Sequence, residues 1–191
     1  MDSGLEKIVD DSVGANTFRA FHHMRQKPSE VFREWAIKAL NIRRLQSLRC
    51  VRSQKQYIEW LHELQVNFQL FWKAKMRKEI AFGPSLKLPN LLMKQLCLWS
   101  GIGESDYKTI VGYLHVPLDV YTIQAIANCV DASAAKTDIG RIPKSAAMKF
   151  VENRKMYEAL QEVIRGVAKK AKVAPIALDC WREEFLRDDK E

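Results

Sequence analysis

Two residues thirty-two positions apart have the types and settings that nucleophilic chemistry needs. Lys87 follows "AFGPSL", where Gly83, Pro84 and Ser85 predict a turn and the start of a helix of about four turns, ending at Trp99. The lysine then falls in the helix's first turn, where the dipole disfavours positive charge. Burial also lowers a lysine's pKa readily, so an amine in this setting is a candidate nucleophile. Asp119 stands in "VPLDVYTIQAI", behind Pro117 and directly before an apolar-periodic segment, which is where an N-cap belongs. Capping and catalysis are compatible. A carboxylate at a helix N-terminus stays ionised at neutral pH and can stabilise positive charge as it develops.

The elements that must position this pair read as helices. "PSEVFREWAIKALNIRRLQSL" repeats apolar residues at Val31, Trp35, Ile37, Leu40 and Leu45 behind a start at Pro28–Ser29. "SQKQYIEWLHELQVNFQLFWKAKMRK" opens at Ser53 and recurs at Tyr57, Leu61, Leu64, Phe68 and Phe71, a long amphipathic helix. "ESDYKTIVGYL", "VYTIQAIANCV", "KSAAMKFVENRKMYEALQEVIRGVAKKAK" and "APIALDCWREEFL" follow, with breaks at "SGIGESD", Pro117, Gly140, Pro143 and Pro175. No alternating strand pattern and no internal repeat is present, so the expected fold class is all-α. Residues 1–16, polar and acidic, read as a flexible N-terminal arm, and residues 17–191 as a single helical domain.

Composition narrows the function classes. The 191 residues, 47% of them hydrophobic, suit a globular core. Thirty-one Lys and Arg against twenty-three Asp and Glu give +8 and favour a polyanionic partner. No apolar run is long enough for a membrane span and "MDSGLEKIVDDS" has no signal-peptide core, so the expected address is the cytoplasm, with no membrane partner. Cys50, Cys97, Cys129 and Cys180 are scattered and read as reduced, buried thiols. No metal spacing and no cofactor motif is visible. The Arg-x₄₋₆-His spacing of one ribonuclease toxin class is absent, because three residues separate Arg19 from His23.

Taken together, "AFGPSLKLPNLLMKQL" and "HVPLDVYTI" resemble the helix–hairpin–helix DNA glycosylases, in particular the 8-oxoguanine glycosylase branch with its archaeal-type and small bacterial members. In that family a P-G-V-G-x-K hairpin carries a nucleophilic lysine and a V-P-V-D segment the catalytic aspartate; Lys87 and Asp119 match them. The second hairpin glycine is replaced by Ser85. The resemblance implies a two-lobed helical fold with the helix–hairpin–helix segment at about residues 70–99. The implied activity is a DNA glycosylase, with or without lyase action, that flips a modified base out of double-stranded DNA and excises it as a monomer. Oxidised guanine is the implied base. A hypermodified phage base such as glucosylated cytosine, removed in antiviral defence, is the other substrate considered.

The same resemblance makes Asp179, in "VAPIALDCW", a base-pocket residue, with His115 and Trp181 as further pocket candidates. Gly83 and Ser85 are expected to present backbone N–H groups to a DNA phosphate. Lys94, Lys136, Arg141 and Lys144 are the basic residues expected to contact DNA, where the plain alternative for each is a solvated helix face. Trp35, Trp60, Trp72 and Trp99 read as core residues rather than stacking platforms. The alternative function is a non-catalytic helix–hairpin–helix DNA-binding protein in which Lys87 only touches phosphate.

Overall fold

The computed structural model describes residues 3–14, 17, 18, 21, 24, 27–97, 103–129 and 139–180. Among them the structure is all-α: eight α-helices, two 3-10 turns and no strand. None of these helices is long and apolar enough to cross a membrane. The chain divides into two compact units, residues 1–80 with 88–113, and residues 81–87 with 114–191.

The first unit contains α1 (Ser3–Asp11), α2 (Pro28–Ala39), α3 (Ile42–Arg49), α4 (Gln54–Met76), the later part of α5 (Phe82–Cys97) and α6 (Glu104–Val111). The segment expected to be a flexible arm is therefore largely helix. Ile8, Val9 and Ser12 fall on one face at helical spacing and are buried, and Asp10 pairs with Arg33 of α2 at 2.7 Å. The single helix expected from Pro28 onward is two. Leu40 ends α2, and the Asn41 side chain accepts a hydrogen bond from the Arg44 N–H to cap α3. The long helix from Ser53 forms as expected, with the Ser53 hydroxyl capping the Gln56 N–H.

Aromatic packing of α2 on α4 dominates this unit's core. The rings of Trp35 and Phe68 lie 4.5 Å apart, Phe32 meets Phe68 edge-on at 6.0 Å, and Trp72 follows at 5.7 Å. Trp35 donates its indole N–H to Asn67, and Trp60 donates to the Ser47 hydroxyl. These three tryptophans are buried, as expected of core residues; Trp99 lies outside the described residues, as do His22 and His23. Cys50, expected to be buried, is exposed. Cys97 is buried, and burial pushes its thiol up to about 12.

The second unit contains the start of α5, α7 (Val120–Cys129), a 3-10 turn (Met148–Phe150), α8 (Arg154–Ala171) and a second 3-10 turn (Pro175–Cys180). Its core is Leu118, Ile123, Ile126, Leu160, Ile164 and Ala168, with Leu86. The helix expected from Lys144 starts only at Arg154, because Asn153 caps the Met156 N–H and residues 144–145 form a turn. The boundary between the two units falls inside α5, whose residues through Lys87 belong to the second unit and from Leu88 to the first.

Candidate active site

The start of α5 differs from the expected turn. Gly83, Pro84 and Ser85 are not a hairpin preceding the helix but part of its first turn, since α5 begins at Phe82. Proline is tolerated there because the first N–H groups of a helix have no partner within it. Gly83 is required by close approach: a Cβ at this position would lie 1.8 Å from the Met148 carbonyl oxygen. Ser85 is fully buried and its hydroxyl donates to the Phe82 carbonyl at 2.6 Å. The Ser85 N–H, expected to face a phosphate, donates to the Ala81 carbonyl at 3.1 Å. Gly83 packs against the Met148–Phe150 turn, and Ser85 closes the helix start on itself.

Lys87 is consequently the sixth residue of α5 rather than a first-turn residue. The helix dipole acts within the first turn, so it contributes less to this amine's setting than the sequence implied. The nearer influence is Asp119, in the same unit. Lys87 Nζ lies 3.9 Å from Asp119 Oδ2, and each side chain is only 16% exposed.

Asp119 is the cap that the sequence predicts. Its Oδ1 accepts hydrogen bonds from the N–H groups of Tyr121 at 3.0 Å and Thr122 at 3.1 Å, and from the Thr122 hydroxyl at 3.3 Å. One oxygen thus starts α7 while the other faces the amine. The rigid cap fixes the carboxylate's orientation, so the ionisable pair is placed by secondary structure on both sides.

Residues 114–118, which lead into Asp119, belong to neither helix nor strand and are all buried. A buried segment outside regular secondary structure needs partners for its backbone. Gln161 of α8 supplies them at Val116, donating to its carbonyl at 2.8 Å and accepting from its N–H at 3.2 Å. His115 is held by the same helix. Its Nδ1 lies 2.8 Å from the Tyr157 hydroxyl and its Nε2 3.4 Å from Arg165. A guanidinium only donates, so Nε2 accepts and the ring proton sits on Nδ1, donated to Tyr157. Burial first, and the Arg165 charge second, push the imidazole down to about 3, which keeps it neutral.

No protein family, curated protein or solved structure matches this chain. His115, expected in a base pocket, is 2% exposed and engaged with α8, so it has no free edge for a ligand. Asp179 lies half-buried on the second 3-10 turn of the same unit. Arg141 and Lys144 are exposed on a loop tied to α7 by the Gln124 amide, which donates to the Pro143 carbonyl at 3.1 Å. Lys94 is half-buried in the part of α5 that belongs to the first unit. Lys136 and Trp181 lie outside the described residues. Tyr157, Gln161 and Arg165 were not singled out from the sequence. The available signal was Gln161, a polar residue on the apolar face that Leu160 and Ile164 define.

A groove of about 350 Å³ on the same unit is lined by Arg165, Gly166, Lys169, Val173 and Pro175 among others, and neither Lys87 nor Asp119 borders it. Among the described residues no three His, Cys, Asp or Glu side chains gather as a metal site would require.

Proposed function

We propose that this protein is a DNA glycosylase that excises a modified base, with Lys87 as nucleophile and Asp119 as its carboxylate partner. The observation that carries the reading is the 3.9 Å approach of Lys87 Nζ to Asp119 Oδ2, two largely buried side chains brought together from α5 and the start of α7. The net charge of +8 suits a polyanionic substrate, and the resemblance of "VPLD" and of the lysine segment to the family's motifs supplies the reaction class.

The chemistry follows from the pair. As the C1′–N bond to the flipped base breaks, its electrons leave with the base, which takes up a proton, and positive charge builds on the deoxyribose. The Asp119 carboxylate stabilises that charge. The Lys87 amine forms a bond to C1′ and sheds a proton, for which Oδ2 of Asp119 is an acceptor within reach. The proton taken by Asp119 passes to the ring oxygen O4′ as the C1′–O4′ bond breaks, and the nitrogen lone pair completes a Schiff base between Nζ and C1′. Asp179 is the residue proposed to line the base pocket, and the base is oxidised guanine or a hypermodified cytosine of phage DNA.

Borohydride tests this directly, because it reduces the imine to a stable amine and leaves protein covalently bound to DNA. Wild type should trap on a single-lesion duplex drawn from a panel that includes 8-oxoguanine, an abasic site and glucosylated cytosine. Lys87→Gln should not. Trapping by Lys87→Gln at the wild-type rate would remove the lysine from the mechanism.

A further inference from the structure

We infer that Gln161 and Tyr157 of α8 are positioning residues for Asp119, acting through the buried segment His115–Asp119; the inference rests on the glycosylase reading above. The Gln161 amide makes both of the hydrogen bonds that a neighbouring strand would make to Val116, at 2.8 and 3.2 Å. One helical turn earlier, Tyr157 accepts the Nδ1 proton of His115 at 2.8 Å, and one turn later Arg165 reaches Nε2. Spacing of four residues puts all three side chains on one face of α8, so a single rigid helix grips two consecutive residues of the segment.

From that grip to Asp119 the chain has little freedom. Pro117 has its φ fixed by its ring, Val116, Pro117 and Leu118 are buried, and the Thr122 hydroxyl lies 3.4 Å from the Pro117 carbonyl. The carboxylate is three residues beyond Val116, and its Oδ2 must be held at a set distance from an amine carried by a different helix. A displacement of about 1 Å in a reacting group can cost two orders of magnitude in rate. Gln161 is thus the means by which α8 sets the register of a segment that has no sheet to set it. A filler role would have been met by another leucine, since Leu160, Ile164 and Ala168 already supply the apolar stripe.

The test separates positioning from folding. Gln161→Met keeps side-chain length but removes both hydrogen bonds, and Tyr157→Phe removes only the hydroxyl. Helical circular dichroism and affinity for an abasic-site duplex are measured beside the single-turnover rate of borohydride trapping on that duplex. Gln161→Met is expected to lose at least tenfold in rate with affinity changed less than twofold, and Tyr157→Phe to lose several-fold. If Gln161→Met does not fold, Tyr157→Phe decides, and a wild-type rate in that variant overturns the inference. Folded variants of both residues with wild-type rates overturn it while leaving the nucleophile assignment intact. Wild type that traps on no duplex of the panel overturns the glycosylase reading and this inference with it.

Discussion

The two oxygens of Asp119 have different partners: Oδ2 lies 3.9 Å from Lys87 Nζ, while Oδ1 accepts the N–H groups of Tyr121 and Thr122 at the start of α7. A single side chain therefore serves the fold and the proposed chemistry through different atoms. The division explains why an N-cap position suits the role. The cap removes rotational freedom from the carboxylate and leaves its second oxygen aimed at the amine.

Substitution separates the two functions. Asp119→Asn and Asp119→Ala both remove the negative charge, and both should lower the single-turnover rate on the cleaved duplex by about 10²–10³-fold. Only the alanine variant also loses the cap. Urea unfolding should find it less stable than the asparagine variant by about 1 kcal/mol. Equal cleavage by Asp119→Asn and wild type would end the catalytic assignment.

Two glycines should respond in opposite directions to a methyl group. Gly83→Ala drives a Cβ to 1.8 Å from the Met148 carbonyl oxygen, and displacing that backbone should cost about 3 kcal/mol. Gly166, in the middle of α8, has nothing within 4 Å of where its Cβ would stand. Gly166→Ala should stabilise the protein by about 0.5–1 kcal/mol through helix propensity alone. Thermal denaturation of the two variants beside wild type reads both signs.

The same contrast marks what could be read from the chain and what could not. Period and caps locate α4 and α7 because Ser53 and Asp119 stand directly before apolar-periodic segments. Caps inside a continuous apolar pattern are harder to see, and Asn41 and Asn153 move two helix starts for that reason. The pairing of Lys87 with Asp119 was legible as two residue types in two recognisable settings. The depth of Lys87 within α5 was not legible, because Gly83–Pro84–Ser85 has the composition of a turn and yet is helical. Gly83 there packs against Met148, sixty-five residues away, a contact no local pattern contains. The grip of α8 on Val116 was hidden similarly, since a glutamine's partner is set by tertiary packing.

The buried imidazole of His115 gives stability a pH dependence of definite sign. In the unfolded chain a histidine takes up its proton near pH 6.5, whereas in the native state burial and the neighbouring Arg165 hold this one down to about 3. Between those values the unfolded state binds more protons, so the contribution is fully present above about pH 6.5 and is lost as pH falls. The slope from this group is about 1.4 kcal/mol per pH unit. Urea unfolding from pH 7 to pH 5 should show that loss in wild type, and His115→Gln should lack this component. Parallel profiles for the two proteins would contradict the buried neutral imidazole.

The exposed loop that carries Arg141 and Lys144 offers a test of DNA contact separate from the chemistry. Gln124 anchors this loop to α7 through the Pro143 and Ala146 carbonyls, which places two cations on a fixed strip of surface beside the helix that Asp119 starts. A phosphate contact releases counterions, so each one contributes about 0.9 to the slope of log K against log salt. Replacing Arg141 and Lys144 together with alanine should flatten that slope by about two and weaken binding most at low salt. Fluorescence anisotropy with a labelled duplex between 50 and 200 mM salt, roughly the range over which such contacts lose most of their strength, measures it. A slope unchanged by the double substitution would assign both residues to ordinary solvated surface and leave DNA contact to other cations of the chain.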